Sequence, residues 1–199
     1  MTDLTDFFSH AWKTIGRAIV KTALRAGLLD MPEMVTKAVR RRCTADLKRL
    51  GMLLRRLIFL MALHVELAPV KPRAGSNYFE KTDGEANKRA PAFSVMPVQA
   101  SAAPDFPRGP ITVPDRGPVS AAPLIARWEA MAVAFKYAGR RAKCLARTLQ
   151  RQRAAGMPRP YIMPVPKLHA LPAAIAIVSG GLTVQLQEAL KTWPEPDTG

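Results

Sequence analysis

The chain has 199 residues, 48% of them apolar and 23% charged. That apolar share excludes a wholly disordered polyelectrolyte, and two cysteines exclude a disulfide scaffold or a cysteine-rich zinc module. Thirty lysines and arginines face fifteen aspartates and glutamates, a net charge of +15, and a field of one sign on that scale points to an anionic partner.

The charge is concentrated. Residues 31–67 carry a net +5 and residues 124–155 a net +7, whereas residues 1–30, 68–123 and 156–199 carry +1, +2 and 0. Both rich segments read as helices. The expected fold is therefore mainly α: a small helical bundle built on two long basic amphipathic helices, with a long proline-rich irregular linker between them.

Residues 3–29 read as the first helix. Leu4, Phe8, Ala11, Ile15, Ile19, Thr22, Ala26 and Leu29 recur at steps of three and four, which places them on one face. Lys13, Arg17, Lys21 and Arg25 lie away from that face. Phe7, Phe8, Trp12, Ile15 and Ile19 opposite regular cations have the form of an interfacial helix, and these five are the expected membrane contacts.

Asp30-Met-Pro-Glu33 reads as the start of a second helix over 31–67, with Asp30 as cap and Pro32 in the first turn. Its seam is Cys43, Leu47, Leu50, Leu54, Leu57, Met61 and His64. Residues 1–67 thus form a two-helix N-terminal unit (3–29, 31–67). Residues 68–123 hold ten prolines and little apolar periodicity, which predicts a disordered linker with polyproline II character.

A long basic heptad helix is expected over 120–156, with Ser120 as cap and Gly156 and Pro158 at its end. Leu124, Trp128, Met131, Phe135, Ala138, Ala142, Leu145 and Leu149 alternate steps of four and three, a coiled-coil seam. Gly51 and Gly139 fall near the midpoints of the two basic helices. They suggest either a close crossing or two tolerated exposed residues. Residues 157–199 combine a proline-punctuated segment with a C-terminal apolar helix from Ala173 to about Lys191. The stretch 168–186 approaches the length of a membrane span, yet it carries His169, Pro172, two glycines and Gln185, and is read as non-spanning. No secretory leader is read in the acidic N-terminus.

Nothing in the sequence assembles a catalytic site. The three histidines are far apart, no glycine-rich phosphate loop precedes a lysine, and no nucleophile elbow occurs. No catalytic residue, metal or cofactor is assigned, and the chain is read as non-enzymatic. The candidate anion-binding residues are Arg40, Arg41, Arg42, Lys48, Arg49, Arg55 and Arg56 in the second helix. In the third they are Arg140, Arg141, Lys143, Arg147, Arg151 and Arg153. These imply a peripheral or adaptor protein that engages an anionic membrane surface, at the inner face of the cytoplasmic membrane. The alternatives are sequence-tolerant nucleic-acid binding and a subunit of a larger helical complex with an acidic protein partner. The heptad seam also offers a route to a homo-oligomer.

Overall fold

The computed structural model describes residues 4–67, 117–162 and 171–193, and across them the protein is mainly helical. Helix α1 (Leu4–Arg25) has Asp6 in its first turn and Arg25 in its last, each at the dipole end that favours its charge. Ala11, Ile15, Ile19, Thr22 and Ala23 form the buried stripe. The helix ends before the expected residue 29. Gly27 turns left-handed at φ 62°, a conformation open to glycine because it lacks Cβ, and a 3-10 turn follows over Leu28–Asp30.

The second helix does not begin at Asp30. Strand β1 (Met34–Val35) pairs antiparallel with β2 (Val119–Ser120), placing Met34 opposite Ser120 and Val35 opposite Val119. Ala121 also donates its N–H to the Glu33 carbonyl at 2.9 Å. This ladder holds residues 33–35 extended, so helix α2 starts later and spans Lys37–His64. Thr36 is its cap, its hydroxyl accepting from the Val39 N–H at 3.3 Å.

The expected heptad helix is two helices. Helix α3 (Ala122–Lys136) and helix α4 (Ala138–Ala154) meet at Tyr137, whose φ of −105° and ψ of 25° leave the helical region. Gly139 lies two residues on, in the first turn of α4, and glycine lowers helical propensity by about 1 kcal/mol against alanine. A Cβ built on Gly139 meets nothing within 4 Å, so at this position the glycine is a tolerated exposed residue and marks no close crossing. The seam survives the break: Leu124, Met131, Ala138, Ala142, Leu145 and Leu149 are buried, with Trp128 and Phe135 packed against the core. Helix α4 closes as the sequence indicates. Gly156 at φ 64° and the bonds Gly156 N–H to Arg153 O and Met157 N–H to Gln152 O make a Schellman motif.

Helix α5 (Ala173–Leu190) completes the bundle. Packing places α2 at its centre, against α1, α3, α4 and α5. Helix α1 runs antiparallel to α2: Phe8 meets His64 edge-on at 6.3 Å, and Thr22 and Arg25 share a cleft with Asp46 and Leu50. Helix α5 runs parallel to α2, since Pro172 and Ile175 reach that same cleft while Thr183 bonds Arg56. The reason for this centre lies in the sequence of α2. Leu53, Leu54, Leu57, Ile58 and Leu60 are all at most 1% exposed, and at 3.6 residues per turn they spread over about 160° of the helix circumference. An apolar arc wider than the stripe of a surface helix needs more than one neighbour to cover it. Each such side chain contributes about 1.5–3 kcal/mol of burial.

Two aromatic contacts set the spacing of the outer helices. Trp12 stacks on Phe135 with ring centroids 4.0 Å apart, and the same Phe135 ring lies where a Cβ on Gly16 would fall. Phe7 packs in the same way against Gly181, so the glycine lets α1 approach α5. The predicted linker, up to residue 116, lies outside the described residues, as do residues 163–170 with His169.

Candidate anion-binding surface

The thirteen candidate cations divide by depth. Arg40, Arg41, Arg42 and Lys48 are exposed on the first half of α2. Lys37, Arg40, Arg41 and Lys48 line one shallow groove of about 380 Å³ along that half. Arg49 is half-buried and pairs with Asp46 at 3.7 Å. Arg55 and Arg56 belong to the core half of the helix. Burial first, and the like charge of Arg127 second, push the Arg55 guanidinium below its ordinary value. Burial does the same to Arg56. The Arg56 side chain reaches inward, its Nη1 donating to Thr183 Oγ1 at 3.3 Å, and Thr183 donates onward to the Ser179 carbonyl at 3.0 Å. Arg56 is therefore engaged in joining α2 to α5.

In α4 the division is cleaner. Arg140, Lys143, Arg147 and Arg151 are exposed, at steps of three, four and four, so they share one outward face. Arg141 is half-buried. Arg153 is half-buried as well: its guanidinium lies over the Trp193 ring at 4.6 Å, while the Trp193 indole N–H donates to the Met157 carbonyl at 3.0 Å. This cluster fastens the end of α5 to the end of α4. No aspartate or glutamate occurs anywhere in α4, so its outward cations have no carboxylate on their own helix to offset them.

The five expected membrane contacts lie inward in this fold. Ile15 and Ile19 are core residues, 0% and 4% exposed, and Phe7, Phe8 and Trp12 pack against that core. Their face is covered by α2, α3 and α5 because the same amphipathic pattern suits a bundle interior and a lipid interface equally well. An exposed apolar strip exists elsewhere. Helix α5 buries Val178, Ser179, Leu182, Leu186 and Leu190. Its opposite face presents Ala173, Ile177, Gly180 and Val184 to solvent, with Ile177 68% and Val184 63% exposed. By length and composition alone α5 is apolar enough to cross a membrane.

The α1 cations stand opposite the apolar face in the sequence pattern but are not among the thirteen anion-binding candidates. Lys13, Arg17, Lys21 and Arg25 are all exposed, and three of them line a cleft of about 400 Å³ between α1, α2 and the start of α5. Their four-residue spacing was the available signal; the neighbouring helices that complete the cleft are set by tertiary packing.

The two cysteines are free, Cys43 buried and Cys144 exposed. The arginines beside Cys43 in sequence do not activate it: burial, and secondarily Asp46, raise its thiol pKa above 9.0. Among the described residues no group of three His, Cys, Asp or Glu side chains is placed to hold a metal ion. His64 is exposed at the end of α2, with Nδ1 2.9 Å from the Leu60 carbonyl. No family model matches the chain, and no curated protein or solved structure matches it either.

Proposed function

We propose that this is a non-enzymatic peripheral protein that binds the anionic face of a cytoplasmic membrane. The observation that carries the reading is the pairing of two exposed features on one small bundle. One is the outward row of Arg140, Lys143, Arg147 and Arg151 on a helix without carboxylates; the other is the aliphatic strip Ala173, Ile177, Gly180 and Val184. Cations near anionic lipid contribute about 1 kcal/mol each, and an aliphatic strip gains free energy on entering the headgroup boundary.

The strip also weighs this reading against nucleic-acid binding. Phosphates would be met by the same arginines, but single strands are held by exposed aromatic platforms, and the solvent-facing strip of α5 is aliphatic. The test is sedimentation with vesicles of phosphatidylcholine alone and of phosphatidylcholine mixed with phosphatidylglycerol. The protein should pellet with the mixed vesicles, and replacing Arg140, Arg147 and Arg151 by glutamine should weaken partitioning by about tenfold or more. Equal recovery on both vesicle types, or none on either, overturns the proposal. Retardation of RNA with no vesicle binding would favour the nucleic-acid reading.

A further inference from the structure

We infer that the cleft between α1, α2 and the start of α5 is a discrete site for one anionic glycerophospholipid. Its phosphate would be held by the α1 cations and its acyl chain would lie along the start of α5. The inference deepens the membrane reading and rests on it.

The cleft has an unusual lining for a surface groove. Arg17, Lys21 and Arg25 enter from α1 at successive turns, and Arg49 enters from α2. Against these four cations stands one carboxylate, Asp46, and it is already paired with Arg49 at 3.7 Å. The cleft therefore carries a net charge of +3. The three uncompensated charges follow one another along α1, and an anion beside them relieves their mutual repulsion. Guanidinium groups suit phosphate in particular, because their planar fork offers paired N–H donors.

The other walls are apolar: Leu50 from α2 and Leu171, Pro172 and Ile175 from the start of α5. A free phosphate has no use for them. A diacylglycerol phosphate does, since its head is ionic and its chains are hydrocarbon. The apolar wall belongs to the first turn of α5, where Ala174 and Ile175 line the cleft, on a different side of the helix from the exposed row Ala173, Ile177, Gly180 and Val184. A lipid seated with its phosphate among Arg17, Lys21 and Arg25 would thus lay its hydrocarbon against Leu171, Pro172 and Ile175. Val20 and Leu24, 51% and 61% exposed on α1, add aliphatic surface between those cations in sequence.

The probe is short-chain phosphatidic acid below its micelle concentration, titrated into the full chain and followed by calorimetry. Saturable binding of one lipid per chain is expected. The variant Arg17→Gln/Lys21→Gln/Arg25→Gln should weaken it about a hundredfold, from three bases at about 1 kcal/mol each. The α4 variant Arg140→Gln/Arg147→Gln/Arg151→Gln should leave it unchanged, even as it weakens vesicle sedimentation. Circular dichroism should confirm that each variant keeps its helicity, with single Lys21→Gln as the substitute should the triple variant unfold. Three results would overturn the site: no saturable binding, equal binding by the cleft variant, or glycerol phosphate competing as strongly as the lipid, which would mark a free-anion site. None of these touches the sedimentation of the unmodified protein on anionic vesicles, so the broader proposal stands or falls separately.

Discussion

Helices α2 and α4 carry the same signature in sequence, a heptad seam beside clustered arginines, and the fold uses them differently. Helix α4 sits at the edge of the bundle. Ala142, Leu145, Ala146 and Leu149 face inward, and Arg140, Lys143, Arg147 and Arg151 face solvent. Helix α2 does this only in its first half, where Arg40, Arg41 and Arg42 are exposed. Helices α1, α3, α4 and α5 all pack on α2, and in its second half Arg56 is drawn into the interior beside Thr183. The difference teaches that a basic residue on an amphipathic helix is a surface feature only while the helix has a surface. What decides the matter is the apolar run Leu57–Leu63, of which Leu57, Ile58, Leu60 and Ala62 are buried by neighbouring helices.

The contrast is open to three measurements. Truncation of the core should give the largest effect. Leu57→Ala, at a fully buried position of α2, should lose about 2–5 kcal/mol in urea unfolding, and Leu149→Ala in α4 should fall at the low end of that range, since an edge site collapses more readily around the missing atoms. If the α4 variant loses as much as the α2 variant, the two helices are equally central and the comparison breaks.

Next comes the pair Arg56→Ala and Arg147→Ala. Removing Arg56 deletes a buried stem and its bond to Thr183, and about 1–3 kcal/mol should be lost. Removing Arg147 should change stability by no more than about 0.5 kcal/mol. Equal and negligible effects would show that Arg56 reaches solvent after all.

The cysteines give the smallest and sharpest contrast. Cys144 on α4 should react with a thiol reagent in the folded protein, while Cys43 on α2 should label only through opening of the structure. The raised pKa of Cys43 has a sign. The folded state holds the proton more tightly, so its contribution to stability is complete below pH 9.0, the ordinary thiol value. It is lost as pH rises from there through the folded value. Cys43→Ala should remove that alkaline loss, and Cys144→Ala should not.

Much of this fold was legible from spacing. Period and composition located the helices, and the seam residues Cys43, Leu47, Leu50, Leu54 and Leu57 are all buried, as are six of the eight in the α3–α4 seam. The helix boundaries near Asp30 were not legible, because they depend on Met34–Val35 pairing with Val119–Ser120 across the intervening chain. Local capping signals at Asp30 and Glu33 lost to a long-range ladder. The break at Tyr137 was hidden for the opposite reason: the seam passes through it without a change of phase. The apolar face of α1 was correctly found, but amphipathicity alone does not say whether lipid or protein covers it. The cleft of Arg17, Lys21 and Arg25 needed Arg49 and Ile175 from distant segments, and nothing in one helix's period reports on another's position.

The link between Arg56 and Thr183 spans 127 residues of chain. During synthesis at about 5–20 residues per second, α2 would emerge roughly 6–25 s before the α5 residues that cover it. For that interval the apolar flank of α2 that α5 comes to cover stays a bare ribbon on the nascent chain. Such a segment is what holdase chaperones bind and what nucleates aggregation. The basic residues Arg55 and Arg56 stand directly at its edge, where like-charge repulsion between neighbouring nascent chains would keep ribbons apart until α5 arrives. On this view Arg56 has two successive occupations: a charged guard on the growing chain, and an interior tie once the bundle has closed.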